Sequence, residues 1–149
     1  MLGASATPRR RAPERPARAP NLQSHGITHL ALDAAVNLAE KLASFDDNCA
    51  PRIVGYYNDN KVQVGKLRGE FMWHSHPDTD DFFLVLSGRL TIQLRDRDVK
   101  LEEGELFVVP RGVEHCPKSD AEAHILLIET RGTANTGDAD AEQAPEREI

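Results

Sequence analysis

Cysteine is scarce in this chain: Cys49 and Cys116 are the two it has among 149 residues, and neither belongs to a C-x-x-C pair. A disulfide framework is thereby excluded, and a reducing cytoplasm is the compartment that fits. Long apolar runs are missing too. None approaches the ~18 residues that a membrane-spanning helix needs. Basic residues are outnumbered, 18 against 24 acidic, and the resulting charge of -6 counts against nucleic acid as a partner. No segment is long and periodic enough for a helix-turn-helix, no apolar stretch suggests a secretory signal, no glycine-rich loop opens a helix to cradle phosphate, and no internal repeat is evident.

What is present suits one globular domain between two tails. Residues 1–21 open with "MLGASATPRRRAPERPARAP", five arginines and four prolines against one acid, a composition unable to build a core. They read as a disordered, solvated tail. A vector-derived remnant and an organelle transit peptide are the alternatives, and the proline density counts against the second. At the other end "TANTGDADAEQAPEREI", residues 133–149, carries five acids and one arginine without apolar periodicity, so a second disordered tail is expected. The domain is expected over residues 22–132.

Within it, "VNLAEKLASF" places Leu38, Leu42 and Phe45 at i, i+4 and i+7, with Asn37 and Glu40 spaced as a capping box, which predicts a short helix over 36–45. Period-2 patterns then dominate. "RIVGYY" and "KVQVGKL" flank the turn "NDN", "FFLVL" and "RLTIQL" flank "SG", and "DVKL", "ELFVV" and "HILLIET" follow Gly and Asx turns. Seven short strands after one helix predict an all-β fold, a sandwich or a small antiparallel barrel.

Chemistry concentrates in "FMWHSHPDTDDFFLVLSG", residues 71–88. If its first part is a strand, His74 and His76 point to the same side as Met72, while Phe71, Trp73 and Ser75 take the other. Asp81 is in phase with Phe83 and Val85, so a carboxylate leads an apolar row and needs a partner. His115 follows the turn in "VVPRGVEHCP". Three imidazoles and one carboxylate form the ligand set of one divalent transition metal, Fe, Mn, Zn, Ni or Cu. His25, His29, His124, Asp78 and Asp80 are read as ordinary surface residues, with Asp80 the alternative acid should the strand phase differ. Cys116 beside His115 points the opposite way on a strand, so the pair does not make a Cys-His dyad.

These residues resemble the two motifs of the cupin superfamily. "GEFMWHSHPDTDDFFLVLSG" carries Gly69, His74, His76, Asp81 and Gly88 in the order of the first motif, with one residue fewer before His74. "GELFVVPRGVEHCPKS" carries Gly104, Pro110, Gly112 and His115 at the spacings of the second. The resemblance covers roughly residues 50–130. It implies a double-stranded β-helix, or jelly roll, with metal ligands His74, His76, Asp81 and His115, a small-molecule ligand and a homodimer. In length and motif order the chain is similar to short single-domain members of the mannose-6-phosphate isomerase-like type. Two departures stand out: Asp81 replaces the usual glutamate and Ser119 the usual asparagine. The aspartate is one methylene shorter, which predicts a water between it and the metal rather than direct coordination. The superfamily includes enzymes and non-catalytic binding proteins alike, and the residues leave both readings open.

Overall fold

A computed structural model describes residues 35–149. The N-terminal tail, the first residues of the expected domain, His25 and His29 lie outside the described residues.

The helix α1 runs over Leu38–Ala43, shorter at both ends than the periodicity predicts. Asn37 caps it, its side-chain oxygen accepting from the backbone N–H of Ala39 and Glu40 at 3.0 and 3.2 Å. The capping box is incomplete: the Glu40 carboxylate accepts from the Asn37 side-chain amide at 3.3 Å instead of turning back to its backbone. A six-residue helix is marginal alone, so it is held by packing. Leu42 and Phe45 bury against Val54 and Val64 on the outside of the sheet.

Eight strands follow: β1 Arg52–Tyr57, β2 Asn60–Glu70, β3 Asp81–Ser87, β4 Leu90–Leu94, β5 Asp98–Leu101, β6 Leu106–Val109, β7 His115–Thr130 and β8 Arg147–Glu148. The expected last strand, "HILLIET", is the second half of β7, which starts nine residues earlier at His115. One edge of β7 pairs antiparallel with β2, from Asn60 opposite Thr130 to Glu70 opposite Lys118. Its other edge is shared. The first half takes β4, with Leu94 opposite His115, and the second half takes β3, with Phe82 opposite Ile128. β5 extends β4 and β6 extends β3, giving the all-β jelly roll. Along β3, Asp81, Phe83 and Val85 are buried, and the residues between them are half-buried, as period 2 requires. The inward rows close one core of Leu67, Phe83, Ile92, Leu101, Ile125, Leu127 and their neighbours. Each fully buried side chain of this size contributes about 1.5–3 kcal/mol. At the "SG" turn, Gly88 has φ +83° and a Cβ there would sit 2.9 Å from the Glu122 carbonyl oxygen, so the hairpin closes against β7 only through glycine.

Two expectations are corrected. Residues 71–80 are not a strand: between β2 and β3 they make one isolated bridge, His74 to His115, because β7 offers β4 and β2 its edges and leaves this segment no full ladder. Residues 133–149 are not a free tail. They return across the barrel, and β8 adds in parallel to β1 with Arg52 opposite Arg147. Ile149 packs against the helix-side cluster at the end, and before it the contacts are polar, a signal that apolar periodicity does not carry: Lys61 Nζ donates to the Thr133 carbonyl at 2.7 Å and to Glu146 at 2.6 Å.

Candidate metal centre

His74 reaches the barrel interior without a strand because two backbone bonds clamp it to His115, His74 N–H to His115 O at 3.0 Å and His115 N–H to His74 O at 2.9 Å. His115 is the first residue of β7, and Asp81 the first of β3. Gly112 N–H donates to the His76 carbonyl at 2.8 Å, tying the end of the ligand segment to the turn that precedes His115. All four side chains are buried, and one donor atom from each lies within 4.8 Å of the others.

The hydrogen bonds fix which nitrogens face inward. His74 Nδ1 meets the Met72 carbonyl and His115 Nδ1 the Val113 carbonyl, both at 3.0 Å. A carbonyl has no proton to give, so each Nδ1–H donates and each Nε2 keeps its lone pair. His115 Nε2 then faces Asp81 Oδ2 at 3.3 Å, while His76 Nε2 lies 3.4 Å from the same oxygen without forming an aligned hydrogen bond. His76 Nε2 and Asp81 Oδ1 are buried and without a hydrogen-bond partner. Lone pairs pointed at a carboxylate repel unless a proton or a cation sits among them. A tetrahedral ion with bonds of about 2.1 Å has ligand-to-ligand edges of about 3.4 Å. The two separations from Asp81 Oδ2 are close to that edge and all four donors lie within 4.8 Å of one another, so the donor set fits a transition metal.

Electrostatics of the metal-free site favour a neutral His74 and a proton or a cation beside Asp81. Burial pulls His74 down to about 4, outweighing the Met72 carbonyl, so the imidazole is neutral and ready to ligate at pH 7. Burial also opposes charge on His76, but the Asp81 carboxylate outweighs it and holds that group above its ordinary value. For Asp81 burial pushes upward and the two histidines beside it prevail, keeping it ionised.

The remaining candidates lie elsewhere. Asp80 points outward and accepts from the Arg111 N–H at 2.9 Å, which removes it as the alternative acid. Asp78 is exposed, and His124 pairs with Glu122 at 2.9 Å on the far part of the sheet. Cys116 is buried with its thiol pushed up to about 11 by burial, unsuited to a nucleophile. Phe83 lines the cavity and meets the His115 ring at 6.0 Å, but Val85 belongs to the core, and Met72 contributes its carbonyl rather than its side chain. Phe71, expected on the opposite face, packs edge-on against His74 at 5.4 Å, because without a strand alternation fails.

Beside the donor set lies a cavity of about 50 Å³ lined by His74, Asp81, Phe71, Phe83, Leu127 and Glu129. Glu129 is the residue that sequence reasoning missed. It is 3% exposed, and its Oε2 has only long contacts, 3.3 Å to Lys61 and 3.4 Å to Gln63. Lys61 is closer to Glu146 and Thr133. Burial, then the negative charge of Asp81, push Glu129 up to about 7. The signal that singled out Asp81 was available here too: in "HILLIET" the acid is in phase with Ile125 and Leu127.

Comparison with known proteins supplies the remaining facts. The family model described as "Cupin domain" matches residues 61–129, from the second residue of β2 to the last but one of β7. An uncharacterized protein, YdbB, of Bacillus subtilis (strain 168) is 31% identical over 99 residues, 66% of this chain and 81% of that protein. A 3-hydroxyanthranilate 3,4-dioxygenase of Jannaschia sp. (strain CCS1) is 32% identical over 72 residues, 45% of this chain and 39% of that enzyme. Among solved structures, a cupin-2 domain containing protein from Shewanella frigidimarina NCIMB 400 is 41% identical, covering 64% of this chain and 94% of that one with a TM-score of 0.64.

Proposed function

The chain belongs to the cupin family, and from that premise we propose that it is a metal-dependent enzyme acting on a small organic substrate, with one divalent transition metal held by His74, His76, Asp81 and His115. The observation that carries this reading is the pair of buried donor atoms without a hydrogen-bond partner among the described residues, His76 Nε2 and Asp81 Oδ1, beside a cavity that Asp81 lines together with a weakly paired acid, Glu129. A bound ion supplies Lewis acidity or a site for oxygen there.

The protein's own groups do the rest. His74 and His115 present Nε2 because their Nδ1–H groups are committed to carbonyls. Phe71, Phe83 and Leu127 exclude bulk water. Glu129, titrating near neutral pH, takes or gives a proton at a ligand O–H or N–H. Among the described residues Lys66 is the one lysine or arginine that lines the cavity, and its Nζ meets Asp46 at 3.3 Å, so the isomerase-like similarity is not extended to a sugar phosphate. A small molecule with hydroxyl or amino donors suits Glu129, and the partial likeness to a 3-hydroxyanthranilate 3,4-dioxygenase supports that class.

A second reading is a binding module without turnover. The small cavity favours it, since about 50 Å³ holds only a few waters in the form described. Two further proposals rest on features of the surface and the thiols. A homodimer is supported by the outward faces of β3 and β6, where Leu106 is 55% and Val108 39% exposed beside the half-buried Phe82 and Leu84. Cytoplasmic residence is supported by two free cysteines.

Elemental analysis of untagged protein purified without added metal tests the metal reading. About one transition-metal ion per chain is expected, falling sharply in His76→Ala and His115→Ala. A wild type that takes up none of iron, manganese, nickel, copper or zinc refutes it. Oxygen consumption or product formation across a panel of hydroxylated and amino-substituted aromatic compounds then separates enzyme from binding module.

A further inference from the structure

Residues 71–80 carry two of the donors yet have no strand ladder, so something else must fix them. His74 is clamped to His115 on one side and the His76 carbonyl is bound by Gly112, which leaves Ser75 between them. Among the described residues Ser75 is held by Asp138 alone, through three hydrogen bonds. Its N–H donates to Asp138 Oδ1 at 2.6 Å, its hydroxyl to Oδ2 at 2.7 Å, and its carbonyl accepts from the Asp138 N–H at 3.0 Å.

The approach is close. Gly137 has φ +53°, and a Cβ on it would lie 2.2 Å from the Ser75 carbonyl oxygen and 3.0 Å from His74 Cδ2. Thr136 is buried, and Asn135 lines the cavity beside the donors. Apolar burial does not explain this docking, because residues 133–146 contain no apolar side chain larger than alanine or proline. Its contacts are polar and converge on the ligand segment. The matched family region ends at residue 129, so this strap lies beyond what the chain shares with the family model.

We infer that Asp138 is a positioning residue for His74 and His76: by gripping Ser75 it sets the separation of the two imidazoles, so the metal centre is complete only with the C-terminal strap in place. This rests on the metal reading of the site. A carboxylate that accepts from both the backbone and the hydroxyl of one residue fixes that residue's orientation as well as its distance. Loss of such a support behind a metal ligand typically lowers affinity 10–100-fold.

The test uses the full chain loaded with Co(II), whose visible bands report ligand geometry, and follows release of the ion into excess EDTA. Asp138→Ala is expected to release cobalt about 10–100-fold faster and to shift the bands. Ser75→Ala, which keeps the backbone bonds, should fall between it and the wild type. Asp138→Asn should stay within about threefold of the wild type, because its amide oxygen accepts from the Ser75 N–H while its nitrogen donates to the hydroxyl. Leu42→Ala, in the helix-side cluster, controls for general destabilisation: it should lower the melting temperature without moving the bands. Wild-type release rates and bands in both Asp138→Ala and Ser75→Ala overturn the inference, as does a band shift in Leu42→Ala equal to that of Asp138→Ala. If Asp138→Ala does not fold, Ser75→Ala decides. A wild type that binds no cobalt removes the metal reading itself, and this inference with it.

Discussion

Asp81 Oδ2 stands 3.3 Å from His115 Nε2, a carboxylate oxygen facing a nitrogen whose ring proton is already committed to the Val113 carbonyl on its other side. The first residues of β3 and β7 thereby create a demand for positive charge at one point of the barrel.

We propose that Asp81 is a direct ligand rather than an anchor for water. Asp81→Ala should weaken metal binding about as much as His76→Ala, because each removes one donor. Asp81→Glu should not tighten it, since the added methylene must find room in a packed interior. Competition titration with a chelator of known affinity checks this. A small loss in Asp81→Ala together with a gain in Asp81→Glu restores the water-mediated alternative.

His74 gives the metal-free protein a pH dependence of defined sign. Its folded pKa, about 4, lies below the ordinary 6.5, so between those values the unfolded chain binds a proton that the folded chain refuses. This stability is full above about 6.5 and is lost as pH falls toward 4. His76 acts oppositely, its raised pKa adding stability below 6.5 that fades as pH rises through the folded value. His74→Asn removes the first effect alone. The stability of the wild type relative to that variant should therefore shrink as pH drops from 6.5 to 4, measured by urea unfolding in EDTA. A difference that is flat across this range contradicts the burial of a neutral His74.

Glu129 has the reverse arithmetic for an acid. Its folded pKa near 7 lies above the ordinary 4.5, so it costs stability that grows as pH rises from 4.5 through 7. Glu129→Gln should stabilise the metal-free protein by about 1–3 kcal/mol at pH 8 and little at pH 4.5, while lowering any turnover by orders of magnitude. Equal effects at both pH values mean that Lys61 neutralises Glu129 fully and that the pair is structural.

The architecture was legible because period-2 patterning survives wherever a strand has one wet face: β3 and β4 alternate along their whole length. The donor set was legible through motif spacing rather than strand phase. His74 and His76 converge, yet the strand that was to align them does not exist, and Phe71 sits on the supposedly opposite face. The strap was illegible for a physical reason. Asp138 docks through three hydrogen bonds to Ser75, 63 residues away, and Lys61 through bonds to Thr133 and Glu146, 72 and 85 residues away, and no local periodicity encodes such pairings. Glu129 differs again, since its inward phase was open to the reasoning already applied to Asp81.

The outward face of β3 and β6 makes the last prediction. Leu106 and Val108 are exposed on β6, and across the ladder they oppose Leu84 and Phe82, so four apolar side chains form one patch with a free strand edge beside it. A second copy of the chain covers such a patch at low cost, because a two-fold axis lets one surface serve both partners. Light scattering at micromolar concentration should give twice 16.5 kDa, about 33 kDa. Leu106→Glu with Val108→Glu should return the mass to that of one chain, since burying two unpaired carboxylates at an interface costs several kcal/mol. Both substituted positions face solvent in the single chain, so its fold and its cobalt bands should be unchanged. A wild type that stays monomeric under these conditions, or a double variant that remains dimeric, assigns the patch to another role.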